Sequence, residues 1–232
     1  MSAADIWVVD LALSPNEFDL CEAVLDADER DRGNRFLRPA DRARHRASHA
    51  ALRLILAEAL SLAPAEIRLE AGAGGKPELG GAARGALDFN LSHSGGRALI
   101  GLARGAAIGV DLEEIRPITD ALRIARAHFA PDEAAALAAL PLSAIDPAFF
   151  GLWTRKEAVV KALGTGLLLP LDRFSVSVPP EPPRFLRMAQ DGTWTLTSVD
   201  CGPGYAATVA VRSAEAGIAV RHFPDDWPSR LG

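Results

Sequence analysis

The sequence predicts a mixed α/β (α+β) fold made of two similar α/β halves. Three observations carry this expectation. Strand-like apolar runs alternate with helical stretches along all 232 residues. "IWVVDL" from Ile6 is echoed by "IGVDL" from Ile108. Each echo is followed by two shorter helical stretches, a long one, and then strands. The expected units are therefore 1–106 and 107–232, with the boundary near Arg104 to Ala107.

The elements follow in order. "IWVVDLAL" is apolar and β-branched and reads as a strand. A helix is expected over Asn16 to Asp26, behind Pro15. A long helix over Asp41 to Leu60 gathers Ala51, Leu52, Ile55, Leu56 and Leu60 on one face. "IRLE" is a short strand, and "GAGGKPELGGAARG" is a glycine-rich loop. "LDFNLSHS" and "RALIGLARG" form a hairpin around Gly95 and Gly96. In the second series "IGVDLEEI" is a strand. Ala121 to Phe129, Pro131 to Leu140 and Phe149 to Leu163 are helices, and "FSVSV", "WTLTSV", "YAATVAV" and "IAVRHF" are strands. The four prolines of "VPPEPPR" mark a connector.

Composition narrows the function. Hydrophobic residues make up 49% and charged residues 24%, as in a globular chain. The net charge of -5 argues against a nucleic-acid or anionic-membrane partner. Cys21 and Cys201 lie in no CxxC or Cys/His cluster, so neither a zinc site nor a disulfide framework is expected. The start has no signal-peptide pattern, and no run of about 18 apolar residues occurs, so a cytoplasmic protein is expected.

Charged residues then stand out in five places. In "FFGLWTRKEAVVKALGTG", at about 100° per residue, Phe149, Phe150, Leu152, Trp153, Val159, Val160 and Leu163 form one apolar arc. Thr154, Arg155, Ala158 and Ala162 fall opposite and are expected to face solvent. Lys156 falls inside the arc, Glu157 within its edge, and Lys161 just beyond it. A Glu157–Lys161 i,i+4 pair with a snorkelling Lys156 accounts for them as surface charges. A site accounts for the cost of charges on a buried side.

In "GVDLEE", Asp111 and Glu113 share one strand face, about 7 Å apart. That suits a hard divalent cation, with Glu157 as a third carboxylate, and it also suits a polar outer face. In "FNLSHSGG", Ser92, His93 and Ser94 precede two glycines that can turn N–H groups toward an anion. They equally read as a turn, and nothing resembles a hydrolase nucleophile elbow. "GGKP" is not a phosphate-binding Walker loop, though Lys76 could meet a phosphate. Finally, the run from Arg30 to Arg53 is locally rich in arginine, fitting a solvated helix or an anion patch.

Together, "GKP", "FNLSHSGG", "IGVDLEEIRPI" and "LWTRKEAVVKALGTGL…PLDRFSV" resemble the Sfp-type (surfactin-type) 4'-phosphopantetheinyl transferases, from near Arg30 to about Val178. The last two motifs, in this order and spacing, are the specific ones. The resemblance implies a pseudo-dimer of two α/β halves with the active site between them. It implies Mg²⁺-dependent transfer of the 4'-phosphopantetheine arm of coenzyme A to a serine of an apo carrier protein, acyl, peptidyl or aryl, releasing 3',5'-ADP. Mn²⁺ is the alternative metal, and a monomer is implied.

Matched position by position, Asp111, Glu113 and Glu157 correspond to the metal-binding acids. Ser92 and His93 correspond to the phosphate-binding pair, and Lys161 to a lysine on the pyrophosphate. Gly75, Lys76 and Pro77 correspond to the loop at the adenine end. Arg44 and Arg53 correspond to basic residues reaching the 3'-phosphate. Trp153 corresponds to a packing tryptophan. One departure stands out: Glu29 and Arg32 replace flanking lysines. Catalysis is expected from Glu157, Lys161 and His93, with Glu157 as base directly or through a metal-bound water. A Mg²⁺-dependent pyrophosphate hydrolase acting on coenzyme A, and a non-catalytic module binding coenzyme A or a carrier protein, are the competing classes.

Overall fold

The computed structural model describes residues 2–166, 169–188 and 192–231; Leu167 and Leu168 of the "GTGLLLPLDRF" motif lie outside the described residues. The chain runs β1 (Ser2–Asp10), α1 (Pro15–Val24), α2 (Ala27–Asn34), α3 (Pro39–Leu60), a small hairpin of β2 (Leu69–Ala71) and β3 (Pro77–Leu79), then β4 (Asp88–Ser94) and β5 (Arg97–Ala103). The same series then recurs. It comprises β6 (Ile108–Glu114), α4 (Ala121–His128), α5 (Pro131–Ala138), α6 (Leu142–Leu163), a small hairpin of β7 (Phe174–Val176) and β8 (Phe185–Met188), then β9 (Thr195–Ser198) and β10 (Tyr205–Val211). The strands pair in the same order too, β1-β5-β4 and β6-β10-β9, all antiparallel. The echo between Ile6 and Ile108 thus marks a repeated unit.

The repeat is not closed at the C-terminus. Strand β11 (Ala216–His222) pairs in parallel with β1, not with the second sheet. Behind it, buried Phe223 and Trp227 join the core of the first half, and Trp227 Nε1 donates to the Asp10 carbonyl at 3.3 Å. The expected unit 107–232 is corrected accordingly: its last segment belongs with the first half. The physical gain is cover for the outer edge of β1, whose N–H and C=O groups would otherwise be unpaired.

The two sheets pack on each other through Ala4, Ile6, Val8, Leu99 and Ala103 from one side and Ile108, Val110, Leu112 and Val209 from the other. These are alternate residues of each strand, so the opposite faces carry α3 and α6. Helix α6 lies on β6 so closely that a Cβ at Gly109 would overlap the backbone of Ala158 and Ala162. That approach corrects the expected solvent face of α6. Thr154, Arg155, Ala158 and Ala162 are all buried. Ala158 and Ala162 are small because the β6 backbone is against them, and Thr154 Oγ1 meets Thr208 Oγ1 of β10 at 3.0 Å. Arg155 donates to the carbonyls of Ser177 and Glu181, both at 2.7 Å, and burial pulls its guanidinium down to about 10. The helix also starts earlier than expected, with Pro147 inside it. Two strands lie outside the expected elements, β3 within the glycine-rich loop and β8 behind the prolines, and α2 gives bounds to the second short helix of the first half.

Candidate active site

Alternation along β6 places Gly109, Asp111 and Glu113 toward α6, as expected from period two. Because Gly109 admits the helix, Asp111 comes within reach of Lys161, whose Nζ donates to Asp111 Oδ1 at 2.6 Å and to Ser92 Oγ at 3.0 Å. Ser92 Oγ in turn donates to Asp111 Oδ1 at 3.1 Å and accepts the Leu112 N–H at 3.3 Å. Among the described residues, buried Asp111 Oδ2 has no hydrogen-bond partner. Ser94 Oγ donates to Glu113 Oε2 at 3.1 Å.

Burial raises the carboxyls of both Glu113 and Glu157, and the charge of Asp111 raises them further. Asp111 thus acts electrostatically on both glutamates, and Lys161 is the cation bonded to Asp111. An all-oxygen acidic set with one orphaned buried oxygen fits a hard divalent cation, since an unmet buried carboxylate oxygen is costly. As the side chains stand, Lys161 holds Asp111, and no three His, Cys, Asp or Glu side chains among the described residues form a ready ligand cluster.

Beside the carboxylates opens a cavity of about 610 Å³. The first half contributes Gly74, Gly75, Lys76, Pro77 and Asn90 to it. Trp153, Glu157, Val160 and Lys161 form the wall from α6, and Leu169 to Leu171 close the far side. The loop is held shut against the helix end: a Cβ at Gly74, which has φ 74°, would overlap the carbonyl of Gly164, the left-handed cap of α6. Lys76 Nζ is tied to Asp88 Oδ2 at 2.6 Å and to the Ile108 carbonyl at 2.8 Å. Gly75, Lys76 and Pro77 thus line the same cleft as Glu157 and Lys161. Trp153 packs on Phe129 and Phe149, at ring separations of 6.0 and 5.9 Å, and shows its other side to the cavity.

Ser92 and His93 point to opposite faces of β4. Ser92 joins the carboxylates, whereas His93 turns toward α3. Burial first, then His49, Lys161 and Arg44, pulls His93 down to about 4, so it is neutral at pH 7. Arg44 is half-exposed and holds Asp41 at 3.0 Å.

Arg53 requires a correction. It is 1% exposed, and its donors are taken by Glu29 Oε2 and Asp26 Oδ2, both at 2.6 Å, and by the carbonyls of Pro64 and Ile67. It organises α2 and α3, with four of its five N–H donors spent on these protein partners and its guanidinium buried away from the cavity. Glu29, the departure from the lysine pattern, is its buried partner. Burial pushes the Glu29 carboxyl up, but His49, Arg53 and the Asp26 amide outweigh this and hold it below its usual range.

Lys156 also faces away from the cavity. Its Nζ meets Glu133 Oε1 and Oε2 at 2.7 and 2.6 Å and the Phe174 carbonyl at 2.8 Å. Glu133 was not singled out in the sequence. Nor were Asp88 and Asn90, although "DFNLSHS" places a polar residue at every second position.

Comparison with known proteins identifies the class. Residues 107–210 match the model of the 4'-phosphopantetheinyl transferase superfamily, and residues 12–103 match the 4'-phosphopantetheinyl transferase N-terminal model. The chain is 35% identical over 207 residues to the 4'-phosphopantetheinyl transferase HetI of Nostoc sp., covering 89% of this chain and 86% of that one. It is 30% identical to the 4'-phosphopantetheinyl transferase Sfp of Bacillus subtilis, covering 94% and 92%. The chain belongs to the 4'-phosphopantetheinyl transferase family and is an enzyme of that class. Among the described residues no helix is long and apolar enough to cross a membrane.

Proposed function

We propose that this protein is an Sfp-type enzyme that moves the 4'-phosphopantetheine arm of coenzyme A onto a serine of an apo carrier protein, in the cytoplasm and as a monomer. The observation that carries this reading is the shared cavity. One end is the Gly74–Pro77 loop of the first half, and the other is Glu157 and Lys161 beside the orphaned oxygen of Asp111. A single chain supplies both walls, so the site needs no second copy.

Asp111, Glu113 and Glu157 would hold Mg²⁺, or Mn²⁺ in its place, and the bound cation supplies charge neutralisation at the pyrophosphate. Glu157 accepts the proton of the serine hydroxyl as that oxygen attacks the β-phosphorus. The bond from the β-phosphorus to the bridging oxygen breaks, and 3',5'-ADP leaves with the negative charge. Lys161 stands by that charge, and a neutral His93 donates one ring N–H to a phosphate oxygen. Arg44 and His93, without Arg53, are the basic side for the 3'-phosphate. Gly75, Lys76 and Pro77 bound the adenine end.

Mass spectrometry of an apo carrier incubated with coenzyme A and Mg²⁺ tests the reading. A gain of about 340 Da, the mass of the arm, supports transfer. Release of 3',5'-ADP from an unmodified carrier makes it a hydrolase, and bound coenzyme A with neither product makes it a binding module.

A further inference from the structure

We infer that Asn90 is a further substrate-binding residue, whose side-chain nitrogen donates to an oxygen of coenzyme A lying between Lys76 and Lys161. The inference deepens the proposed function and rests on it.

Four alternate side chains of β4 take the place of a partner strand for β6. Asp88 Oδ2 accepts the Ile108 N–H at 2.8 Å, Asn90 Oδ1 the Val110 N–H at 2.8 Å, Ser92 Oγ the Leu112 N–H at 3.3 Å, and Ser94 Oγ the Glu114 N–H at 3.0 Å. These are the β6 amides that point away from β10. Three of the four rungs also hold a second protein group: Asp88 takes Lys76, Ser92 takes Lys161 and gives to Asp111, and Ser94 gives to Glu113. Among the described residues, Asn90 alone of the four has no second partner.

Its amide is nevertheless oriented. The atom meeting the Val110 N–H must be an acceptor, which fixes Oδ1 there and leaves Nδ2 with two protons to donate. Asn90 is 7% exposed and lines the cavity with Lys76, Glu157 and Lys161. Nδ2 is not among the enclosed, unpartnered polar atoms, so its open side is the cavity. Capping Val110 needs only an acceptor, which serine or aspartate supplies on the neighbouring rungs. Asparagine adds donors, and it avoids a fourth carboxylate beside Asp111, Glu113 and Glu157. A ligand oxygen that passes from Lys76 to Lys161 crosses this rung.

Asn90→Asp keeps an acceptor for Val110 and removes the donor, and Asn90→Ser keeps the acceptor while its shorter side chain draws the remaining donor back from the cavity. Calorimetric titration of the full protein with coenzyme A, 3',5'-ADP and adenosine 3'-phosphate 5'-diphosphate reads the effect. Coenzyme A should bind about tenfold more weakly to both variants, as expected when one buried donor is lost. The binding of 3',5'-ADP and the melting temperature should stay at wild-type values. If the diphosphate weakens in step, the acceptor is the β-phosphate; if only coenzyme A weakens, it is an oxygen of the pantetheine arm. Unchanged coenzyme A binding in both variants overturns the inference, as does an equal weakening of 3',5'-ADP with a lowered melting temperature. A wild-type protein that binds coenzyme A but modifies no carrier overturns the transferase reading alone, because Asn90 is judged by binding.

Discussion

Helices α3 and α6 are the same element used for two purposes. Each has 22 residues and ends at a left-handed cap, Ser61 or Gly164. Eight residues before the cap stands a buried base, Arg53 in one and Lys156 in the other. Each base is held at 2.6 Å by a buried glutamate, Glu29 or Glu133, three residues into its half's second short helix. Each base also donates to carbonyls further along its own half. The resemblance stops at the cavity. Seven residues before the caps, Leu54 stands where α6 has Glu157; three before, Glu58 stands where it has Lys161. The face of β1 turned to the α3 side carries Trp7 and Val9, whereas the face of β6 turned to α6 carries Asp111 and Glu113. The difference teaches which charges are scaffold and which are site. The ion pair present in both halves holds the fold, and the charges present in one half have no structural counterpart to explain them.

The strongest way to break this comparison is to remove a charge unique to the second half. Glu157→Gln should lower the turnover of arm transfer by about 10²–10⁴-fold, the range for losing a general base. Glu58→Gln, at the first-half counterpart of Lys161, should leave turnover unchanged in the same carrier-modification assay.

The shared pairs come next. Glu133→Ala strands a buried Lys156 and should cost about 3–5 kcal/mol in chemical denaturation. Glu29→Ala should cost less, because Arg53 keeps Asp26. Joint replacement, Lys156→Met with Glu133→Leu, should recover most of the loss, as buried pairs replaced by apolar groups often do.

Glycines at the two contact layers sharpen the picture. A methyl at Gly109 meets backbone of α6, whereas one at Gly101 meets side-chain methyls of Val110, Ile108 and Ile6. Both should destabilise by about 1–3 kcal/mol. Gly109→Ala should also lose transfer, because it lifts Glu157 and Lys161 away from Asp111.

The smallest effect is on pH, and its sign differs between the halves. Burial pulls His45 and His93 from 6.5 to about 4. Their support for the fold is full above 6.5 and fades as pH falls toward about 4. Glu113 and Glu157 are raised by burial, so they favour the fold while protonated, below the ordinary value of 4.5. That support is lost as pH rises through their raised values. In melting curves without divalent cations, Glu113→Gln should melt above wild type at pH 7, and His93→Asn should flatten the acid side.

Much of this was legible in the sequence. The repeat showed in Ile6 and Ile108, and the shared face of Asp111 and Glu113 followed from strand period. The hairpin around Gly95 and Gly96 was marked by its glycines. What failed has one physical origin, contact between elements distant in sequence. Ala158, Ala162 and Thr154 looked like a solvent face because small and hydroxylated residues also suit a helix pressed against a strand. Arg53 looked like a phosphate ligand because its partners, Glu29 and Asp26, lie on another helix. Lys156 looked like a site residue until Glu133 met it from α5. Strand β11 looked like part of the second half because sequence order does not say which sheet edge needs cover.

One measurement tests the division between scaffold and site most directly: the intact mass of an apo carrier after incubation with coenzyme A, Mg²⁺ and one of three proteins. The wild type and the folded Lys156→Met, Glu133→Leu double variant should each add about 340 Da to the carrier, and Glu157→Gln should leave it unmodified. A carrier modified by Glu157→Gln at the wild-type rate, or left unmodified by a well-folded double variant, would contradict the account.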